Sequence, residues 1–350
     1  MKKCVVAICL MLLSMLLFQC YFIREGAALL DVYGSGESLE ASLADPSLPA
    51  DERALLQLVV KIKRYAIERL GLAQNDNYSR YVRLDRDYLV SVVSAYDRLS
   101  FTQHEYHYPF VGALPYKGFF NPEDAASEAR GLEAQGLDVH VRRVDAFSTL
   151  GILSDPVFSF MKDYPVFALS NLIFHEQSHA TVFINGQATF NENFATFVGD
   201  EAMRLFLKET YGPASDEARL VDALDHDQRV FIERLRDLYE NLKVVYAGKV
   251  SAERKLVLKE ETIAAWQEAF RRDYTRDFLS TAYESFPERP LNNAVIMLYM
   301  TYREKQTEMK ELFELTGKDL PFFISLARKV PRDTDDPLAV FRELIVNSAP

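Results

Sequence analysis

Apolar and polar residues follow two rhythms along this chain. From Asp51 to Leu70 the apolar positions (Leu55, Leu58, Val59, Ile62, Tyr65, Ile67, Leu70) recur at helical spacing, and Gly71 predicts a stop. The segments Tyr81–Leu84 and Tyr88–Tyr96 are dense in Val and Tyr and predict strands. Another strand region runs around Tyr108–Phe120, broken by Gly112, Pro115 and Gly118. Asn121–Gln135 predicts a helix with Asn121 as N-cap, Pro122 in the first turn and Gly136 beyond the end. A strand should follow over Asp138–Val144. After Pro156 the helical rhythm takes over, at about 157–182, 192–211, 215–247, 251–274, 291–317 and 319–329. The charge runs, such as Asp216–Leu242, read as solvated helix faces. The pattern predicts an α+β fold that is mainly α. A small α+β region over 51–155 lies on the substrate side, a helical body spans 156–350, and the two form one compact unit.

The amino terminus departs from both rhythms. Lys2 and Lys3 precede an uncharged run from Cys4 to Ile23, ended by Arg24 and Glu25. A run of this length suits a bilayer-spanning helix, and the leading lysines predict a cytoplasmic amino end with an exported body. Residues 1–24 therefore read as a signal or membrane anchor, and 25–50, with Gly, Ser and Pro, as a connector. Two forms of attachment stay open. The run is retained as a transmembrane anchor, or it is a cleaved signal that leaves a lipidated Cys20. Leu17 suits the second form and Gln19 suits it poorly. Both put the body outside the cytoplasm, tethered to a membrane.

Composition narrows the chemistry. Hydrophobic residues make up 49% and charged residues 26% of the 350, which is the balance of a globular protein. Acids outnumber bases 51 to 40, and a net charge of −11 argues against a nucleic-acid partner. The three cysteines, Cys4, Cys9 and Cys20, all precede the body. That excludes a disulfide framework, a cysteine-held metal and a thiol nucleophile there.

The chemistry concentrates at Asn171-Leu-Ile-Phe-His175-Glu176-Gln-Ser-His179-Ala180, an H-E-x-x-H motif in a helical context. Four-residue spacing turns both imidazoles to one helix face, where they can occupy two corners of a zinc tetrahedron. Glu176 lies beside them as a base for a metal-activated water. Thr181–Phe183 and Ala188–Phe190 read as short β-type runs around the tight turn Asn185-Gly186. The chain should then return through a helix beginning at Asn191, with Glu192 in its first turn as a third ligand. Asp200 and Glu201 are more distant alternatives.

These residues carry a resemblance. Phe190-Asn-Glu192-Asn-Phe-Ala195 resembles the N-E-x-[FL]-A segment of gluzincin metallopeptidases. The chain is more closely similar to the bacterial putative aminopeptidase family. The matching stretches are Gly112–Phe120, Ala146–Pro156, the H-E-x-x-H segment, Phe190–Val198 and Leu291-Asn-Asn-Ala294, which in order cover most of residues 50–330. The resemblance implies one zinc ion on His175, His179 and Glu192, with Glu176 catalytic. It departs at Gln177 and Ser178, where the family usually reads H-E-L-A-H; on a helix both point away from the metal.

The expected reaction is peptide hydrolysis. Tyr302 is a candidate oxyanion donor, and Tyr116 another. Ser148, Thr149 and Gly151, in Phe147–Leu153, could add a strand to a bound peptide. Asp155, Glu201 or Asp200 could hold a substrate α-amine. Asn292 and Asn293 would brace the zinc helices, although a helix-start cap is the plainer reading for one of them. A non-catalytic envelope scaffold with a structural zinc, and an endopeptidase, are the alternatives to an aminopeptidase.

Overall fold

The computed structural model describes residue 21 and residues 23–108, 112–145, 154–300 and 307–348. Most of the Cys4–Ile23 run, with Cys20, lies outside them, and so do Ser148, Thr149, Gly151 and Tyr302. Among the described residues no helix is long and apolar enough to cross a membrane.

The fold is α+β and mainly α. A leading helix over residues 23–34 docks on the α+β region rather than standing free of it. The Glu25 carboxylate accepts from the Phe120 N–H at 2.8 Å, and Arg24 pairs with Asp124 at 3.0 Å. Strand β1 (Glu37–Ser38) and helix α1 (Leu39–Ala44) follow, then α2 (Ala50–Glu68), whose Leu55, Leu56, Val59 and Ile62 are buried. β2 (Arg80–Val82) lies between β1, antiparallel, and β8 (Val157–Phe158), parallel, so Tyr81 stands opposite both Glu37 and Val157. This small sheet sets the chain entering the H-E-x-x-H helix alongside residues 77–79.

A second sheet has β3 (Val90–Asp97) at its centre, between β6 (Lys117–Phe119) and β7 (Leu137–Val144), all antiparallel. β3 is buried along nearly its whole length, which explains its Val-rich run without polar alternation. Helix α3 (Pro122–Ala134) lays Ala125, Ala129 and Leu132 against Val93, Ala95 and Phe119. Its Asn121 cap accepts from the Glu123 N–H at 2.9 Å. β4 (Tyr106–Tyr108) and β5 (Gly112–Leu114) form a hairpin beside this sheet.

The helical body holds α4 (Val166–Thr181), α5 (Ala188–Tyr211), α6 (Asp216–Ala247), α7 (Ala252–Asp277), α8 (Asn293–Met300), α9 (Thr307–Leu315), α10 (Leu320–Ala327) and α11 (Pro337–Ser348). The main core joins α2, α4, α5 and the last helices through Phe174, Phe194, Phe206, Phe323 and Phe341. A second core sits between α6, α7 and α8, around Phe231, Leu235, Phe270 and Ile296. The other faces of α6 and α7 carry their charge runs.

Three local expectations are corrected. Residues 157–163 are not α-helical: β8 and a short 3₁₀ helix, Ser159–Asp163, precede Pro165, which admits the α-helix only after itself. Thr181–Phe183 and Ala188–Phe190 form no strand pair, because α4 runs on to Thr181 and α5 already starts at Ala188. The backbone of the turn finds partners other than a ladder. Asn191, buried inside α5, accepts from the Ile184 N–H at 2.9 Å and donates to the Ile184 carbonyl at 2.8 Å, while the Asn185 N–H donates to the Arg332 carbonyl. Asn191 is thus a clamp on the turn, and Glu192 falls in the second turn of α5.

The third correction concerns Asn292 and Asn293, which form no hydrogen bond to α4 or α5 among the described residues; Asn292 instead takes the helix-start cap, accepting from the Val295 N–H at 2.9 Å. Asn292 donates to the Val139 carbonyl at 2.9 Å, and Asn293 donates to the Asp97 and Ser100 carbonyls at 2.8 and 2.9 Å and accepts from the Tyr246 hydroxyl. Asp138 there accepts from the Asn293 N–H and the buried Lys259 ammonium. This network fastens β3 and β7 to the α6–α7 pair. A buried charge pair is tolerated because its remaining hydrogen bonds are satisfied.

Candidate active site

Helix α4 begins after Pro165 and is held by Leu169, Ile173 and Phe174, all essentially inaccessible. That register turns His175 and His179 to one side, with their Nε2 atoms 3.2 Å apart. Helix α5 buries Phe190, Phe194, Phe197 and Val198 and leaves Glu192 on its outer edge. The Glu192 carboxylate lies 3.4 Å from His179 Nε2 and 3.8 Å from His175 Nε2. The side chains of His175 and His179 are 22% and 21% exposed, while that of Glu192 is 65% exposed. Solvent reaches the cluster from the Glu192 side.

The donor atoms of the three residues all lie within 4.8 Å of one another. Tetrahedral ligands about 2.0–2.1 Å from a zinc ion stand about 3.3 Å apart, so the donor set and its spacing fit such an ion. Among the described residues no other group of three or more such side chains has this geometry. Asp200 and Glu201 are engaged elsewhere: Asp200 accepts from the Asn171 amide at 2.8 Å, and Glu201 faces Arg204 at 3.7 Å. Tyr116 stands exposed between β5 and β6.

The electrostatics suit metal-assisted proton transfer. Burial, aided by the neighbouring His179, pushes His175 down to about 4, so its imidazole is neutral and able to ligate. Burial opposes charge on His179 as well, but the Glu192 carboxylate outweighs it and raises this group. The same hydrogen bond lowers Glu192. Burial, then the charge of Asp155, raises Glu176 to about 7, near the value that suits a general base at neutral pH.

Asp155, Tyr33 and Tyr78 complete the surroundings. The Tyr33 hydroxyl, at the end of the leading helix, donates to Asp155 at 3.2 Å. The Tyr78 N–H donates to the Asp155 carbonyl, and the Asp155 N–H donates to Asn77 Oδ1 at 3.2 Å. Tyr78 is buried, lies within the fields of Glu176 and Asp155, and takes a left-handed backbone with φ 55°. That conformation costs a bulky residue about 1–2 kcal/mol and is a mark of functional segments. Sequence reasoning missed both tyrosines. Neither has a motif, and only the Asn75–Asn77 turn residues hint that the chain bends there.

Gly199 explains how closely α5 approaches α4. A Cβ on it would lie 3.2 Å from the His175 Cβ and 3.3 Å from the Asn171 carbonyl oxygen. These atoms are fixed to the backbone, so α4 would have to move as a body. Gly199→Ala should therefore lower stability, against the gain of about 0.5–1 kcal/mol that Gly→Ala gives in an ordinary helix interior. Thermal unfolding checks this, and a raised Tm would show that the helices can separate without loss.

Gln177 occupies its position at a cost. It is fully buried, and among the described residues neither its amide oxygen nor its nitrogen has a hydrogen-bond partner. Such groups cost about 1–3 kcal/mol each. Gln177→Leu should raise Tm by a few degrees and leave zinc content unchanged. A fall in Tm would mean that the amide is satisfied in solution.

No curated protein and no solved structure matches this chain. A family model described as putative aminopeptidase matches residues 20–336, and with nearly the whole body covered, the chain belongs to that family.

Proposed function

We propose that this protein is a zinc-dependent peptidase, most simply an aminopeptidase, with His175, His179 and Glu192 as the metal ligands and Glu176 as the general base. The observation that carries the reading is the convergence of those three donor groups beside a half-buried glutamate that is not itself in the set. Zinc bound there would supply Lewis acidity toward a carbonyl and toward water. Glu176 takes a proton from the attacking water and delivers it to the leaving amine, two tasks that suit a carboxyl titrating near neutrality. His175, kept neutral by burial, and His179, oriented by Glu192, present their Nε2 atoms from a rigid helix. A structural zinc site normally closes with four protein ligands, and only three side chains converge here among the described residues, which favours a catalytic over a scaffold role.

The apolar run before Arg24 supports action outside the cytoplasm on a membrane-tethered chain, through a transmembrane helix or a lipid on Cys20. Mass spectrometry of the full chain from a bacterial membrane fraction separates the two, since lipidation removes the first 19 residues and adds acyl mass.

Chelation tests the reading. Removing metal should abolish cleavage of a mixed peptide library, and about one equivalent of zinc should restore it. Products shortened one residue at a time from the amino end mark an aminopeptidase; internal cuts mark an endopeptidase. Undiminished cleavage by protein assayed as metal-free would contradict the proposal.

A further inference from the structure

We propose that Asp155 is the counter-ion for the free α-ammonium of the peptide substrate, held in place by Tyr33. The proposal rests on the peptidase reading and adds to it the end of the peptide that the site accepts.

Asp155 is fixed by its main chain on both sides, through Asn77 and Tyr78. The segment that fixes it is itself tied down: Lys63 donates to the Asn77 carbonyl, and the Ala73 N–H donates to the Thr181 hydroxyl at the end of α4. The carboxylate is half-buried, and its hydrogen-bond donor among the described side chains is the neutral Tyr33 hydroxyl. Among the described residues no Lys, Arg or His forms an ion pair with it. It lies close enough to Glu176 and His179 for its charge to act on both. The other carboxylates considered for this task already have partners, Arg204 for Glu201 and Asn171 for Asp200.

A half-buried carboxylate with a neutral hydroxyl as its side-chain donor, and no cationic partner among the described residues, is unfavourable until a cation arrives. An α-ammonium supplies one positive charge with three donors, and Asp155 offers it acceptor oxygens from a different element than the one carrying Glu176. An amino-terminally acetylated peptide brings neither charge nor donors and leaves the carboxylate without a charged partner.

The test uses the full chain in detergent, loaded with zinc, and a pair of probes: an amino acid hydroxamate with a free amine and its N-acetyl form, titrated by calorimetry. The wild type should bind the free-amine probe at least about 30-fold more tightly. Asp155→Asn should bring the two within about threefold of each other while zinc per chain and affinity for the N-acetyl probe stay unchanged. Tyr33→Phe, which keeps the carboxylate, should give an intermediate ratio and guards against a misfolded Asp155→Asn. Equal binding of both probes by the wild type, or a preference that survives in Asp155→Asn, overturns the role of Asp155 and leaves the peptidase reading standing. Failure of either probe to bind, together with no Glu176-dependent cleavage, overturns both.

Discussion

Glu176→Gln should lower kcat/KM for peptide cleavage by about 10³-fold, within the 10²–10⁴ range that general-base catalysis supplies. The substitution keeps the shape and the hydrogen-bonding reach of the side chain and removes only its ability to take a proton. Glu176 is adjacent to a ligand but is not in the converging set, so zinc content should stay near that of the wild type. Stability should not fall, because the substitution removes a half-buried charge that Asp155 repels. Initial rates on a peptide with a free amine, beside metal analysis of the same samples, check this. A variant retaining more than a tenth of wild-type activity would remove Glu176 from the mechanism.

Glu192→Ala should have the largest effect on the metal. Four-ligand zinc sites are worth about 10–16 kcal/mol in all, or roughly 2.5–4 kcal/mol per ligand. Losing one ligand therefore costs about two to three powers of ten in affinity. The fold should hardly register the change. The Glu192 side chain is 65% exposed and Ala is a good helix former, so the metal-free protein should stay within about 0.5 kcal/mol of wild type. Competition with a chromogenic chelator measures the affinity, and urea unfolding of the metal-free forms measures the stability. Unchanged affinity would assign the third position to another group.

Much of this was legible from residue spacing because the governing contacts are local. The H-E-x-x-H separation fixes one helix face whatever surrounds it, and the cap at Asn121 or the Val-rich run of β3 carries its own signal. Where contacts are distant in sequence, reading failed. Asn185-Gly186 has the chemistry of a hairpin, yet Asn191 and Arg332 supply the partners that a ladder would have given. Asn292 and Asn293 look like supports for a metal site, but their amide nitrogens donate to Val139 and Asp97, 153 and 196 residues away in the sheet. Tyr33 reaches Asp155 across 122 positions, from a segment that composition marks only as a connector. Gly199 gave no signal either, since its significance depends on a neighbouring helix.

The most direct test of the central claim is zinc-edge X-ray absorption on the purified full chain, with the metal quantified per chain. We expect close to one zinc, with two imidazole nitrogens and additional oxygen ligands at about 2.0–2.1 Å, and loss of the imidazole signal together with the metal in His179→Ala. A folded chain that takes up no zinc, or one whose zinc keeps the same coordination in both His175→Ala and His179→Ala, would contradict it.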